Sequence, residues 1–174
     1  MTSLDPADAA SWRHQFPALR QVIGGYPLPY LDTAATSLRP QPVMDALTSF
    51  YSGPNANSGA TLHTLARRAS EIYDAARAEI ARFIGTNDPL EVVFTRRTTE
   101  AINLVATAWG SRHVKPGDEI LLTYAEHASN LLPWQLVAER TGARVRYSAI
   151  TDDGHVDVES FTGLVSPLPT WISC

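Results

Sequence analysis

Lysine is nearly missing from this chain: of 14 basic side chains, 13 are arginine and the other is Lys115. Any chemistry that needs a lysine amine must use Lys115 or lie beyond this chain's reach. Cysteine is as scarce. The single Cys174 is the last residue, which excludes an intramolecular disulfide and makes a cytoplasmic location the expectation. No apolar run approaches the roughly 20 residues of a membrane span. Charged residues are only 18% of the chain and the net charge is −4, which argues against nucleic acid or an anionic membrane as partner. The opening residues mix Asp5, Asp8, Arg13 and His14 with short side chains and do not read as a secretory leader. No Gly-x-Gly-x-x-Gly follows a strand, no Gly-Lys-Ser/Thr closes a phosphate loop, and there is no Gly-x-Ser-x-Gly elbow. His63, His113, His127 and His155 are scattered without an HxxxH pair or a cysteine cluster, so no metal site is expected.

What is present is a chain with 44% apolar residues, enough to bury a core. Residues up to 29 read as an irregular lead-in, and Tyr30-Leu31-Asp32 as a small strand or extended segment. Pro40 and Pro42 introduce a helix with apolar positions Val43, Met44, Leu47, Phe50 and Tyr51. A loop over 55–61 precedes a longer helix, whose apolar face runs through Leu65, Ala69, Ile72, Ile80 and Phe83 to a C-cap at Gly85. Then come strands over 91–95 (EVVFT), 119–123 (EILLT) and 144–150. They are separated by helices over 99–109, closed by Gly110, and 130–140, closed by Gly142. Strand and helix alternating at this spacing predict parallel pairing, hence an α/β fold.

Ligands of open parallel sheets bind beyond the carboxyl ends of the strands. Two polar segments fall there. In Thr95-Arg96-Arg97-Thr98-Thr99-Glu100, free N–H groups at a helix start and a threonine hydroxyl suit an anion; from spacing alone, simple capping by Thr98 or Thr99 outweighs that. In Ala125-Glu126-His127-Ala128-Ser129-Asn130, Asn130 is placed to cap the next helix and His127 could meet a ligand; a solvated loop histidine is the simpler reading.

Taken in order, these segments resemble one family. Tyr30-Leu31-Asp32-Thr33-Ala34-Ala35 is similar to the opening YLDxAA motif of class V aminotransferase-fold enzymes, which depend on pyridoxal 5′-phosphate (PLP). Phe94-Thr95 followed by Thr98-Thr99-Glu100-Ala101-Ile102-Asn103-Leu104-Val105 resembles their F-x-R-G-T-T-E-x-I-N-L-V segment. Glu126-His127, Asn130 and Pro133-Trp134 resemble the E-H-x-x-N-x-x-P-W signature of the SufS-like cysteine desulfurases and selenocysteine lyases. Lys115-Pro116-Gly117-Asp118-Glu119 and Asp152-Asp153-Gly154 match turns of the same family.

The resemblance implies the N-terminal portion of a fold type I PLP-dependent transferase, a partial three-layer sandwich with a mostly parallel sheet. It implies that Thr98 and Thr99 hold the PLP phosphate, that His127 stacks on the pyridine ring, and that Ala34 and Ala35 line the substrate side. It also implies an amino-acid substrate, cysteine foremost, released as alanine with an enzyme persulfide, and a homodimer. Three departures keep a class V enzyme of other substrate open: Arg97 for the usual glycine, Ala128 for a common second histidine, and Ser58-Gly59-Ala60-Thr61 for a His-Arg-Gly stretch. The family's covalent lysine, its carboxylate partner for the pyridine nitrogen and its nucleophilic cysteine belong to later sequence, so no catalytic residue is assigned in this chain. Three sections are expected: a lead-in over 1–29, a partial transferase domain over 30–166, and an out-of-frame tail over 167–174 that forms no strand, because Pro169 stands where one should begin. An inactive fragment, one half of a split enzyme and a non-catalytic phosphate-binding module are the alternatives.

Overall fold

The computed structural model describes residues 11–59, 62–165 and 170–173, in two units, Met1–Val92 and Val93–Cys174. In the first unit, Gly24 and Gly25 take φ of 61° and 85°, the left-handed pair that a two-residue hairpin loop demands. They join β1 (Val22–Ile23) to β2 (Tyr26–Pro27) in an antiparallel pair. Residues 30–32 form no strand; the Tyr30 hydroxyl donates to the Thr36 carbonyl at 2.5 Å and closes a turn over Thr33, Ala34 and Ala35. Helix α1 (Gln41–Ser52) has proline in its first turn, where a missing N–H costs nothing. In α2 (Thr64–Ile84), His63 is the N-cap, its Nδ1 accepting from the Ala66 N–H at 3.3 Å, and Gly85 at φ 82° ends the helix. Its expected apolar face is only partly covered. Ala66, Ala69 and Ala81 are buried, whereas Ile72 and Phe83 are 47% and 84% exposed.

The second unit is built on β3 (Glu119–Thr123), whose apolar run is buried along four of its five residues, as a central strand requires. β4 (Arg144–Ser148) and β5 (Thr170–Ile172) flank it, both parallel, with Ile120 opposite Val145 and Trp171. Helix α3 (Thr98–Leu104) continues as a π-helical stretch (Val105–Gly110) and a last turn (Ser111–His113). Helix α4 (Ala128–Thr141) ends at Gly142 with φ 77°, and α5 (Val158–Leu164) follows β4. Ile120 and Leu122 meet Ala106, Val114, Trp134, Val137 and Ala138 in the core.

Several expectations are corrected here. Residues 91–95 are not a strand: Pro89–Glu91 forms a 3₁₀ turn, with the Asp88 carboxylate accepting from the Leu90 N–H at 2.8 Å. Both edges of β3 are already taken by β4 and β5, so 92–95 finds no ladder there. Gly110 does not close its helix; it stays helical at φ −57°, and a Cβ added to it would come within 3.0 Å of the Trp134 ring. Asn130 is not a cap but lies inside α4, one turn from His127. The third expected strand ends at Ser148 rather than 150. Thr170–Ile172 is a strand after all, since a proline before the first paired residue removes no ladder donor. Residues 166–169 and Cys174 lie outside the described residues.

Candidate functional site

Two loops of the second unit meet at one cleft. The first starts α3. Arg97 is its N-cap and makes no side-chain cap bond, so Thr98 and Thr99 are first-turn residues rather than caps. The Arg96 N–H donates to the Glu100 carboxylate at 2.7 Å, while among the described residues no side chain caps the first turn's own N–H groups. Arg96 and Arg97 are exposed beside it.

The second loop leaves β3 and ends at His127, the N-cap of α4. His127 Nδ1 accepts from the Ser129 N–H at 3.1 Å and lies 2.9 Å from the Ser129 hydroxyl. An accepting Nδ1 puts the ring proton of the neutral imidazole on Nε2. The loop is held from below. Glu126 accepts from the Thr123 hydroxyl at 2.8 Å and from Asn130 Nδ2 at 2.9 Å. Asn130 Oδ1 in turn accepts from the Trp134 indole N–H at 3.1 Å and from the Ser173 hydroxyl at 2.8 Å. Asn130 and Trp134 are one helical turn apart in α4, and Glu126, which precedes the N-cap, joins them in a column through its bond to Asn130.

Between the loops lies a cleft of about 370 Å³ whose walls include Thr99, Asn103, His127, Ser129, Leu132 and Leu136. Thr99 and His127 are therefore brought together, and Thr98 does not line the space. Ala34 and Ala35 belong to the first unit, exposed on their turn. Lys115 is remote in kind: it sits in the turn closed by Gly117, its Nζ donating to the Arg112 carbonyl at 2.9 Å. Asn103 and Ser129 were not singled out from sequence. Asn103 donates through Nδ2 to the Thr99 carbonyl at 2.8 Å, and the i, i+4 spacing to Thr99 was the available signal. Among the described residues no group of His, Cys, Asp and Glu could hold a metal ion, and no helix is long and apolar enough to cross a membrane.

The sequence is similar to proteins named probable cysteine desulfurase. One from Synechocystis sp. is 47% identical over 161 residues, covering 92% of this chain and 38% of the relative. One from Halobacterium salinarum is 47% identical over 166 residues, covering 95% and 40%. The structure resembles a cysteine desulfurase of Escherichia coli, with a TM-score of 0.71 and 35% identity over 98% of this chain and 41% of that one. It also resembles the apo cysteine desulfurase of Thermococcus onnurineus, with a TM-score of 0.74 and 36% identity over 92% and 38%. The chain thus spans about two fifths of these relatives, and it has the fold of the corresponding part of a fold type I PLP-dependent enzyme. The sequence model of aminotransferase class V matches residues 29–173, and the chain belongs to that family.

Proposed function

We propose that this chain is the N-terminal part of a PLP-dependent, cysteine desulfurase-like enzyme, that its cleft is the cofactor site, and that it does not turn over substrate alone. One observation carries the reading: Thr99 and His127, which the family likeness assigns to the cofactor from two separate segments, line the same cleft.

The residues present fit the group. The open first turn of α3 and the Thr99 hydroxyl are donors for a phosphate. His127 has Nδ1 engaged by Ser129 and is otherwise exposed, which leaves a flat ring face for a pyridine. Leu132 and Leu136 give the cleft an apolar wall. Exposed Arg97, where the family has glycine, adds positive charge near the phosphate donors. Bound PLP supplies an electron sink for chemistry at the α-carbon of an amino acid. The chain's own part is to bind and orient; the covalent lysine, the carboxylate partner and the sulfur nucleophile come from elsewhere. Cysteine as substrate, homodimerisation and a cytoplasmic location belong to the same reading. The names of the relatives support cysteine as substrate and a sequence with one cysteine supports the location, while the homodimer rests on the family likeness alone.

Joining the chain to the C-terminal portion of a class V relative tests this. The fusion should take up PLP and form alanine from cysteine, and the unfused chain should do neither. A fusion whose PLP uptake and rate are the same with Thr99→Ala and His127→Ala would refute the site. A second reading, one half of a split enzyme, is favoured by the large apolar side chains left open on α2. Co-purification of a second polypeptide bearing the lysine decides it.

A further inference from the structure

Glu126 precedes His127 and lines no part of the cleft. Both its carboxylate oxygens are occupied, one by the Thr123 hydroxyl at the end of β3 and the other by Asn130 Nδ2 in α4. These partners are fixed: Thr123 is 3% exposed and Asn130 6%. Asn130 is further pinned through Oδ1 by the Trp134 indole and the Ser173 hydroxyl. The carboxylate therefore clamps the short segment between β3 and α4 at both ends. That segment delivers His127, whose Nδ1 must meet the Ser129 N–H to cap the helix.

We propose that Glu126 is a positioning residue for His127: by tying β3 to α4 it sets the cap geometry and so holds the imidazole as the Nε2–H tautomer beside the cleft. The functional importance of this rests on His127 being a cofactor-binding residue. The tautomer itself does not, because it is defined by contacts within the chain. A carboxylate that merely stabilised the fold would change the melting behaviour and leave the ring proton where it is.

The test is ¹⁵N NMR of the histidine rings in the full chain at about pH 8, above the usual imidazole titration. His127 of the parent should be predominantly Nε2–H. In Glu126→Ala the ratio of Nε2–H to Nδ1–H should fall about fivefold, the loss expected when an N-cap bond is released. Glu126→Gln should restore the ratio: its amide oxygen can accept from Asn130 Nδ2 while its NH₂ donates to the Thr123 oxygen. A parent-like ratio in a folded Glu126→Ala, or a ratio in Glu126→Gln as low as in Glu126→Ala, overturns the proposal. Should the backbone spectrum show Glu126→Ala unfolded, Thr123→Val, which keeps the shape and removes one of the two donors, decides by the same readout. Failure of the fusion to take up PLP, with the His127 tautomer of the chain intact, would count against the cofactor reading alone.

Discussion

Replacing Gly110 with alanine sets two known effects against each other at one site. The residue is helical at φ −57°, so alanine gains roughly 1 kcal/mol of helix propensity. The new Cβ, however, would stand 3.0 Å from Cζ3 of Trp134 and 3.6 Å from a methyl of Val137. Trp134 is 5% exposed and held by its indole N–H to Asn130 at 3.1 Å, so the ring cannot easily give way. Overpacking of this kind costs about 1–3 kcal/mol, leaving a net loss of about 1 kcal/mol. Gly163 in α5 is the internal control, because none of the described residues lies within 4 Å of an added Cβ there. Gly163→Ala should therefore gain about 0.5–1 kcal/mol. Native-state amide exchange reads both: amides around Ala106 and Val137 should exchange about fivefold faster in Gly110→Ala, while those of α5 slow in Gly163→Ala. Equal slowing in both variants would refute the close contact between the π-helical stretch and α4.

Borohydride reduction of the chain with PLP, followed by peptide mapping, should give no stoichiometric label on Lys115, since its Nζ is held at a surface turn by the Arg112 carbonyl; retained label at low PLP would contradict this. In the fusion, Thr99→Ala should weaken PLP binding by on the order of 1.5–3 kcal/mol, the worth of a hydrogen bond to a charged group, measured by equilibrium dialysis. His127→Ala should lower turnover more than Thr99→Ala does, as steady-state alanine formation would show. His63→Ala removes the acceptor for the Ala66 N–H and should cost about 1 kcal/mol, seen as faster amide exchange in the first turns of α2.

The sequence was read best where local chemistry decides the outcome. Gly85 and Gly142 were legible as helix ends because only a left-handed residue suits that position, and both have positive φ. The EILLT run was legible as a buried strand because both its faces are apolar. Gly110 was misread for the converse reason: glycine serves close approach as well as helix termination, and the partner, Trp134, is known only from packing. EVVFT has strand composition, but a strand forms only where another pairs with it, and no local pattern reveals which segments meet. At the site, Thr99 and His127 followed from strand-end position and family likeness. Asn130 was given the job of a cap, and the column it forms with Glu126 and Trp134 emerged only once the helix start was fixed at Ala128.

The order β4–β3–β5 also bears on how the second unit assembles. The bond between Arg146 and Glu119 joins β4 to β3 across 27 residues, and that between Trp171 and Asp118 ties β5 across 53. Doubling the loop adds about 0.6 kcal/mol to the entropy of closure, and β5 repays it with three register pairs against β4's five. β4 should therefore zip onto β3 early in folding, with β5 the last strand to dock and the first to leave. Because Ser173 reaches Asn130 from the end of β5, departure of that strand would also slacken the column beneath His127, so the latest folding event and the set of the ring share one hydrogen bond.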